Sequence, residues 1–180
     1  MKHLNWCKTA REKQITPKGD WNVWLILAGR GWGKTRTGAQ DIAFYGLTRP
    51  NSRIAIVTPT FGDGRDTCIE GVSGLLGCID ADNIENWNRS IGELTLKNGT
   101  IYKTFSAEQP DRLRGPQFHR AWCDELGSWK NAEAWDQLLF GLRLGEKPQV
   151  IITTTPKPTD LIKELVQNKD SLVTRGSTFE

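Results

Sequence analysis

The chain has 180 residues and a formal net charge of +3, from 24 lysines and arginines against 21 aspartates and glutamates. This length suits a single domain, and no basic block supplies the electrostatic footprint of a tight, autonomous DNA-binding protein. Four cysteines without a CxxC spacing and two histidines match no usual zinc pattern. Because no apolar run approaches the ~20 residues of a membrane span, we expect a soluble, intracellular protein with no membrane contact.

Short apolar runs alternate with amphipathic segments in the first part of the chain. Residues 24–28 predict a buried strand that ends in a glycine-rich turn, after which apolar residues recur at helical spacing. A second strand is predicted at 54–57. A helix over 68–76 follows, with Val72 on its apolar face and Gly77 at its end. This alternation predicts an α/β fold with a mostly parallel central sheet flanked by helices.

An alternating segment interrupts this order between residues 90 and 105. It is centred on Asn98 and Gly99, the dipeptide favoured in two-residue turns, and therefore predicts an inserted β-hairpin. Thr159, after two prolines, is the predicted N-cap of the last helix. The remaining predicted elements are a strand at 120–123, a helix over 135–142, a strand at 150–152, a helix over 161–166 and a strand at 172–174.

A phosphate-binding loop is predicted where the first strand meets its helix. Residues 28–35, AGRGWGKT, keep the P-loop spacing, although Ala28 replaces the first glycine and would be strained by about 1 kcal/mol at a positive φ. Glycines let backbone N–H groups face phosphate oxygens, Lys34 adds positive charge and Thr35 offers a hydroxyl to Mg²⁺. The alternative is a structural turn without a ligand. The predicted nucleotide-binding residues here are Gly29, Arg30, Gly31, Trp32, Gly33, Lys34, Thr35 and Arg36.

Two carboxylates, Asp124 and Glu125, follow the predicted strand at 120–123. An aspartate at this position can hold Mg²⁺, and the next glutamate can act as the general base that polarises the attacking water. A solvated acidic turn is the alternative. Together with the P-loop, the pair predicts an ATP site that requires Mg²⁺.

Two further groups have more than one interpretation. Arg112 and Arg114 lie in a surface loop, where an arginine can reach a γ-phosphate, form a surface salt bridge or contact a DNA phosphate. Thr153, Thr154 and Thr155 end a predicted strand, at the edge where open α/β folds bind ligands. They can sense the γ-phosphate or serve simply as β-branched strand residues.

Four segments carry a family resemblance, namely GRGWGKTRTGA at 29–39, EGVSGL at 70–75, LRGP at 113–116 and WCDE at 122–125. In order and spacing they resemble the large terminase subunit of tailed bacteriophages, over nearly the whole chain. The resemblance implies a P-loop ATPase of the ASCE, RecA-like type. Lys34 and Thr35 then belong to the Walker A motif, and Asp124 and Glu125 to the Walker B motif.

The resemblance also implies further roles and partners. Thr153 to Thr155 would couple hydrolysis to movement, Arg114 would act in trans as an arginine finger, and Gln14 would contact adenine. The expected partners are double-stranded DNA, the portal protein, the small terminase subunit and other copies of the chain in a ring, a pentamer by resemblance. The expected location is the cytoplasm of the infected bacterial host, at the portal vertex of the procapsid during packaging.

The predicted function is therefore the ATP-hydrolysing core that powers DNA translocation into the procapsid. Because the family continues into a lid subdomain and a nuclease, residues 1–180 are expected to be a truncated ATPase core that cannot cleave DNA. Three alternatives stay open. They are a helicase-like or recombinase-like ATPase, an ATP-binding module with little turnover, and an α/β domain whose glycine loop is purely structural.

Overall fold

The computed structural model describes residues 2–179. The strands are β1 (Val23–Ala28), β2 (Arg53–Thr58), β3 (Ile84–Asn88), β4 (Glu93–Leu96), β5 (Ile101–Ser106), β6 (Arg120–Asp124), β7 (Gln149–Thr154) and β8 (Ser171–Gly176). The helices are α1 (Lys2–Thr9), α2 (Lys34–Thr48), the single turn α3 (Phe61–Asp63), α4 (Glu133–Gly141) and α5 (Asp160–Gln167). Within the described residues, no helix is long and apolar enough to span a bilayer.

All eight strands that the described residues form belong to one sheet, in the order β3-β4-β5-β2-β6-β7-β1-β8. Strands β5, β2, β6, β7, β1 and β8 run parallel to one another, which confirms the predicted, mostly parallel sheet. β7 lies between β1 and β6. The segments that follow β1, β6 and β7 therefore meet at one edge of the sheet, where open α/β folds place their ligands.

Each face of the sheet is covered by its own hydrophobic cluster. Successive residues of a strand point to opposite faces, so β1 sends Trp24 and Ile26 to one face and Leu25 and Leu27 to the other. The first face packs against α2, and the second against α4 and α5. Burial on both faces explains why these strands are continuous apolar runs rather than alternating ones.

The predicted hairpin is present, as β4 and β5 pair antiparallel. Its turn differs from the prediction, because the backbone N–H of Leu96 donates to the carbonyl of Thr100 at 2.9 Å, which leaves a loop of three residues. Gly99 takes φ +87° there, the left-handed conformation that closes many three-residue loops. β5 joins the main sheet beside β2, and β3, which the sequence did not predict, extends the sheet beyond β4.

The helix predicted over 68–76 was wrong. A π-helical stretch, Gly64–Ile69, continues from α3, and the chain then turns back on itself. Val72 is 96% exposed instead of facing the core. The reason is a close approach of backbone to backbone, since a Cβ added at Gly71 would lie 2.5 Å from the carbonyl oxygen of Thr67. Helical spacing of apolar residues alone did not reveal this turn.

The later elements confirm the remaining predictions. β6, α4, β7, α5 and β8 follow in the predicted order, although α4 ends one residue before Leu142. Thr159 is the N-cap of α5, and its Oγ1 accepts from the backbone N–H of Ile162 at 3.3 Å. α1 was not predicted from the sequence.

Candidate functional site

A cleft of about 630 Å³ opens at the edge where β1, β6 and β7 end. Its volume is typical of small-molecule sites, which span roughly 300–1,000 Å³. Five residues singled out from the sequence line it, namely Arg30, Thr35, Asp124, Glu125 and Thr155. The structure thus brings together three chain segments that lie far apart in the sequence.

The glycine loop has the backbone that its sequence predicts. Gly31 and Gly33 have φ of +78° and +93°, and Gly33 is the left-handed residue from which α2 starts. Ala28 ends β1 and is not among the described residues with positive φ, so the strain considered for this substitution does not arise. The loop therefore turns at its later glycines and tolerates alanine at its first position.

Lys34 is the first residue of α2 and is only 8% exposed. Its Nζ donates to the carbonyl of Gly29 at 2.9 Å, which holds the ammonium group inside the loop. Thr35 follows on the wall of the cleft. A cation and a hydroxyl thus stand side by side at the N-terminus of a 15-residue helix, where partial positive charge accumulates.

The side chain of Trp32 packs in the core and does not line the cleft. It is 1% exposed, and it lies so close to β8 that a Cβ added at Gly176 would overlap its Nε1. Its carbonyl accepts from Gln14 Nε2 at 3.0 Å, while Gln14 Oε1 accepts from the backbone N–H of Arg11 at 3.0 Å. Gln14 therefore braces the glycine loop, and its contact with adenine stays a prediction.

Arg36 points away from the cleft. Its Nη1 lies 3.5 Å from the carbonyl of Val72, and the side chain lines a neighbouring groove of about 460 Å³. Thr35 and Thr67 line both spaces. The cleft and the groove are therefore adjacent, with the start of α2 between them.

Asp124 is buried at the end of β6, with 6% of its surface exposed. Burial raises the pKa of this carboxyl from 3.8 to about 6, although hydrogen bonds and the charge of Lys34 oppose the rise. Its Oδ1 accepts from Thr153 Oγ1 at 2.6 Å, and its Oδ2 accepts weakly from Cys68 Sγ at 3.6 Å. Thr153 Oγ1 in turn accepts from Trp122 Nε1 at 2.7 Å, so the carboxylate is fixed by a chain of buried groups.

Glu125 has a strained backbone, with φ +49° and ψ +45°. A residue other than glycine costs about 1–2 kcal/mol in this left-handed region and persists only where its surroundings hold it. Its N–H donates to the carbonyl of Thr153 at 2.7 Å, and Thr155 Oγ1 donates to its Oε2 at 3.3 Å. These contacts with β7 hold the carboxylate at the cleft.

The three threonines at the end of β7 have three different partners. Thr153 bonds to Asp124 and Thr155 to Glu125, whereas Thr154 Oγ1 accepts from the backbone N–H of Gly127 at 3.1 Å. All three hydroxyls are thus engaged with the acidic segment. Their presence in the strand reflects specific contacts as well as β propensity.

Arg114 does not line the cleft. Its side chain is 60% exposed and forms ion pairs with Asp111 at 3.4 Å and Glu133 at 3.3 Å. It borders a separate pocket together with Phe140 and Arg143. The structure therefore leaves Arg114 away from the cleft of its own chain.

Five residues that line the cleft were not singled out from the sequence, namely Pro59, Asp63, Thr67, Ser128 and Lys157. Asp63 caps its own helical turn by accepting from the Thr60 N–H at 3.1 Å. Lys157 Nζ donates to Ser128 Oγ at 2.6 Å across the cleft wall. Lys157 could have been predicted as a cleft residue, because it follows Thr155 by two residues and therefore lies at the same edge of the sheet.

The chain matches the family model described as the N-terminal part of the T4-like terminase large subunit, over residues 25–170. A comparison with curated proteins finds no match. Among solved structures, the chain is similar to the large terminase ATPase domain of Thermus phage P74-26, with a TM-score of 0.71 and 16% identity, over 98% of this chain and 80% of that one.

Two longer proteins are also similar. The large terminase of another thermophilic bacteriophage, solved in complex with ADP, matches with a TM-score of 0.72 and 15% identity, over 99% of this chain and 44% of that one. The large terminase of bacteriophage HK97 matches with a TM-score of 0.67 and 18% identity, over 87% of this chain and 35% of that one. At these identities the likenesses establish the fold, which is that of terminase ATPase domains of the ASCE type. Because the family model spans more than half of the sequence, the chain belongs to the N-terminal family of terminase large subunits.

Proposed function

We propose that this chain binds and hydrolyses ATP with Mg²⁺ and thereby powers the movement of double-stranded DNA into a viral procapsid. The observation that carries the proposal is the cleft itself, where Thr35 of the P-loop helix faces Asp124, Glu125 and Thr155. A phosphate-binding loop opposite an acidic pair can bind the phosphates and Mg²⁺ on one side and orient the attacking water on the other. The similarity to a phage large terminase solved with ADP supports this nucleotide.

Phosphate binding would use the loop and the start of α2. Gly29, Gly31 and Gly33 allow backbone N–H groups to face phosphate oxygens, and Lys34 adds its charge from inside the loop. Arg30 lines the same cleft and adds a second cation. These residues would bind the β- and γ-phosphates and neutralise their charge.

Thr35 and Asp124 fit the role of Mg²⁺ ligands. Burial raises the pKa of Asp124, so a nearby cation would stabilise its ionised carboxylate. In P-loop proteins the second protein ligand of Mg²⁺ is usually a hydroxyl such as that of Thr35. No group of three His, Cys, Asp or Glu side chains within residues 2–179 is placed to hold a metal alone. This suits Mg²⁺, which commonly takes one or two protein ligands beside phosphates and water. Bound Mg²⁺ would neutralise negative charge on the phosphates.

Glu125 would act as the general base. Its strained backbone and the hydrogen bond from Thr155 hold a carboxylate at the cleft, where it would orient and polarise the attacking water. Thr153, Thr154 and Thr155 would couple hydrolysis to movement, because their hydroxyls contact the acidic segment directly.

Arg114 would act on a neighbouring subunit in a homo-oligomeric ring. Arg114 is exposed and does not line the cleft, which supports a role in trans, and an arginine finger of this kind can raise the rate about 10³–10⁵-fold. The same observation supports a second candidate function. A chain without a neighbour would bind ATP but turn it over slowly.

The remaining roles rest on family membership. We propose that the chain works with the portal protein and the small terminase subunit in the cytoplasm of the infected host, at the portal vertex during packaging. A pentameric ring is the proposed assembly.

The test is steady-state ATP hydrolysis in Mg²⁺ across a range of protein concentrations. Lys34→Ala and Glu125→Gln should abolish turnover. Arg114→Ala should abolish it as well, whereas Arg112→Ala, which removes an exposed arginine of the same loop, should not. A rate that rises faster than linearly with concentration would support a shared site. Linear turnover that survives Arg114→Ala would disprove the role in trans, and the absence of ATP binding would disprove the proposed function.

A further inference from the structure

Lys157 is a cation on the cleft wall, and the proposed mechanism assigns it no role. It lies in the segment between β7 and α5, two residues after Thr155, which also lines the cleft. Because β7 lies between β1 and β6, this segment stands between the P-loop and the acidic pair. Lys157 therefore approaches the cleft from the wall on which neither Lys34 nor Arg30 lies.

The backbone of Lys157 is held in place. Pro156 and Pro158 flank it, and a residue before proline is restricted to extended conformations. Its Cβ also packs tightly against the turn after Glu125, since a Cβ added at Gly127 would lie 3.1 Å from it. The ammonium group is therefore the mobile end of a well-placed side chain.

The charge of Lys157 is not neutralised in the part of the chain that the structure describes. Its Nζ donates to a neutral hydroxyl, Ser128 Oγ, at 2.6 Å, and no salt bridge to it is found among residues 2–179. A hydrogen bond to an exposed hydroxyl contributes little net free energy and exchanges readily. A phosphate oxygen is a far stronger partner for an ammonium group.

We infer that Lys157 binds the terminal phosphate of ATP and makes the site select ATP over ADP. The inference rests on the proposed function and names a specificity-determining residue for it. ATP carries one more phosphate than ADP, and the cleft wall around Asp124 and Glu125 is otherwise acidic. Lys157 supplies positive charge on that side. When it turns to the phosphate it releases Ser128, so the turn that follows Glu125 changes partners when ATP binds.

The test compares the binding of ATPγS and ADP, each with Mg²⁺, by isothermal titration calorimetry. In Lys157→Met we expect the affinity for ATPγS to fall about tenfold, because a charge-assisted hydrogen bond is lost, while the affinity for ADP changes less than about twofold. Lys157→Arg should keep the preference for ATPγS. Lys163→Met removes an exposed lysine of α5 that borders a neighbouring pocket but not the cleft, and should match the native chain.

Three outcomes would overturn the inference. Unchanged affinities for both nucleotides in Lys157→Met would show that Lys157 does not contact the terminal phosphate. An equal loss of both affinities would indicate a structural role. A loss of DNA binding with both nucleotide affinities unchanged would assign Lys157 to a DNA phosphate. In all three the native chain still binds nucleotide, so the proposed function survives; if the native chain binds neither ATPγS nor ADP, both proposals fail together.

Discussion

The burial of Asp124 predicts a conflict between stability and activity. The carboxyl is nearly inaccessible, and burial raises its pKa to about 6 in the folded protein, against 3.8 in its ordinary state. Asp124→Asn should therefore stabilise the protein at pH 8 in Mg²⁺-free buffer, because it removes a buried charge. Asparagine keeps an oxygen that can accept from Thr153, so the hydrogen bond at 2.6 Å need not be lost. Under the proposed function, the same change should abolish ATP hydrolysis.

The magnitude follows from linkage between protonation and folding. At about 1.36 kcal/mol per pH unit, the raised pKa destabilises the folded state by about 3 kcal/mol at pH 8. Between pH 3.8 and about 6 the folded state binds more protons than the unfolded state, so stability falls as the pH rises through this window. At pH 5 this destabilisation of the folded state is about half as large as at pH 8. Above pH 6 it reaches its full value.

Urea denaturation of the native chain and Asp124→Asn, at pH 8 and pH 5 with EDTA, measures this difference. The variant should be more stable by about 2–3 kcal/mol at pH 8, and its advantage should shrink by roughly 1.5 kcal/mol at pH 5. Asp136→Asn, which alters an exposed carboxylate of α4, should shift stability by less than about 0.5 kcal/mol at either pH. An advantage that is independent of pH, or a variant less stable at pH 8, would refute the reasoning.

Three further predictions concern stability. Glu125→Gly should be more stable than Glu125→Ala by about 1 kcal/mol in urea denaturation, because glycine relieves the positive φ. Gly176→Ala should destabilise the protein by about 1–3 kcal/mol, because its Cβ would displace Trp32 and the glycine loop with it, and under the proposed function it should weaken ATP binding in calorimetry. Arg120→Met should cost about 3–5 kcal/mol, because it leaves Asp41 buried without the partner that now contacts it at 2.7 Å.

Control substitutions distinguish backbone strain, steric overlap and buried charge from the general effect of a mutation. Gly62→Ala places a Cβ with no contact under 3.8 Å and should change stability little, in contrast to Gly176→Ala. Lys103→Met breaks a partly exposed ion pair with Glu93 and should cost less than about 1 kcal/mol. Equal stability of Glu125→Gly and Glu125→Ala would argue against strain, and equal costs for Arg120→Met and Lys103→Met would argue against the effect of burial.

Local patterns in the sequence were sufficient to predict the parallel strands and the glycine loop between β1 and α2. Apolar runs next to glycines predicted β1 and its loop, and the acidic pair Asp124 and Glu125 at the end of β6 lies on the opposite wall of the cleft. Each of these features depends on residues that are close together in the sequence, so a single segment is enough to predict it. Helical spacing over 68–76 was misleading, because the backbone contacts that forbid a side chain at Gly71 appear only in three dimensions.

Features that depend on distant contacts could not be predicted. Trp32 lies in the glycine loop, where an aromatic ring could stack on a base, but the absence of a side chain at Gly176 on β8 opens room for it in the core. Lys157 reaches the cleft only because β7 is inserted between β1 and β6, and strand order is not encoded in any single segment. The left-handed backbone of Glu125 likewise depends on its bond to Thr153 in the neighbouring strand.

Strand β7 connects the cleft to both layers of the domain. Since side chains alternate along a strand, Thr153 shares the face of Ile151, on which α2 packs, and Thr154 points to the opposite face. Thr153 contacts Asp124, Thr154 contacts Gly127, and Thr155, just after the strand, contacts Glu125. Under the proposed function, a movement of Asp124 or Glu125 during hydrolysis would be transmitted to the end of β7 through the hydrogen bonds of Thr153 and Thr155. The bond between Thr154 and Gly127 would transmit it to the opposite face of the sheet. Arg114 pairs with Asp111 and Glu133 and is not among the residues that line the cleft, so under the proposed function its influence on the site would depend on how a neighbouring subunit is placed.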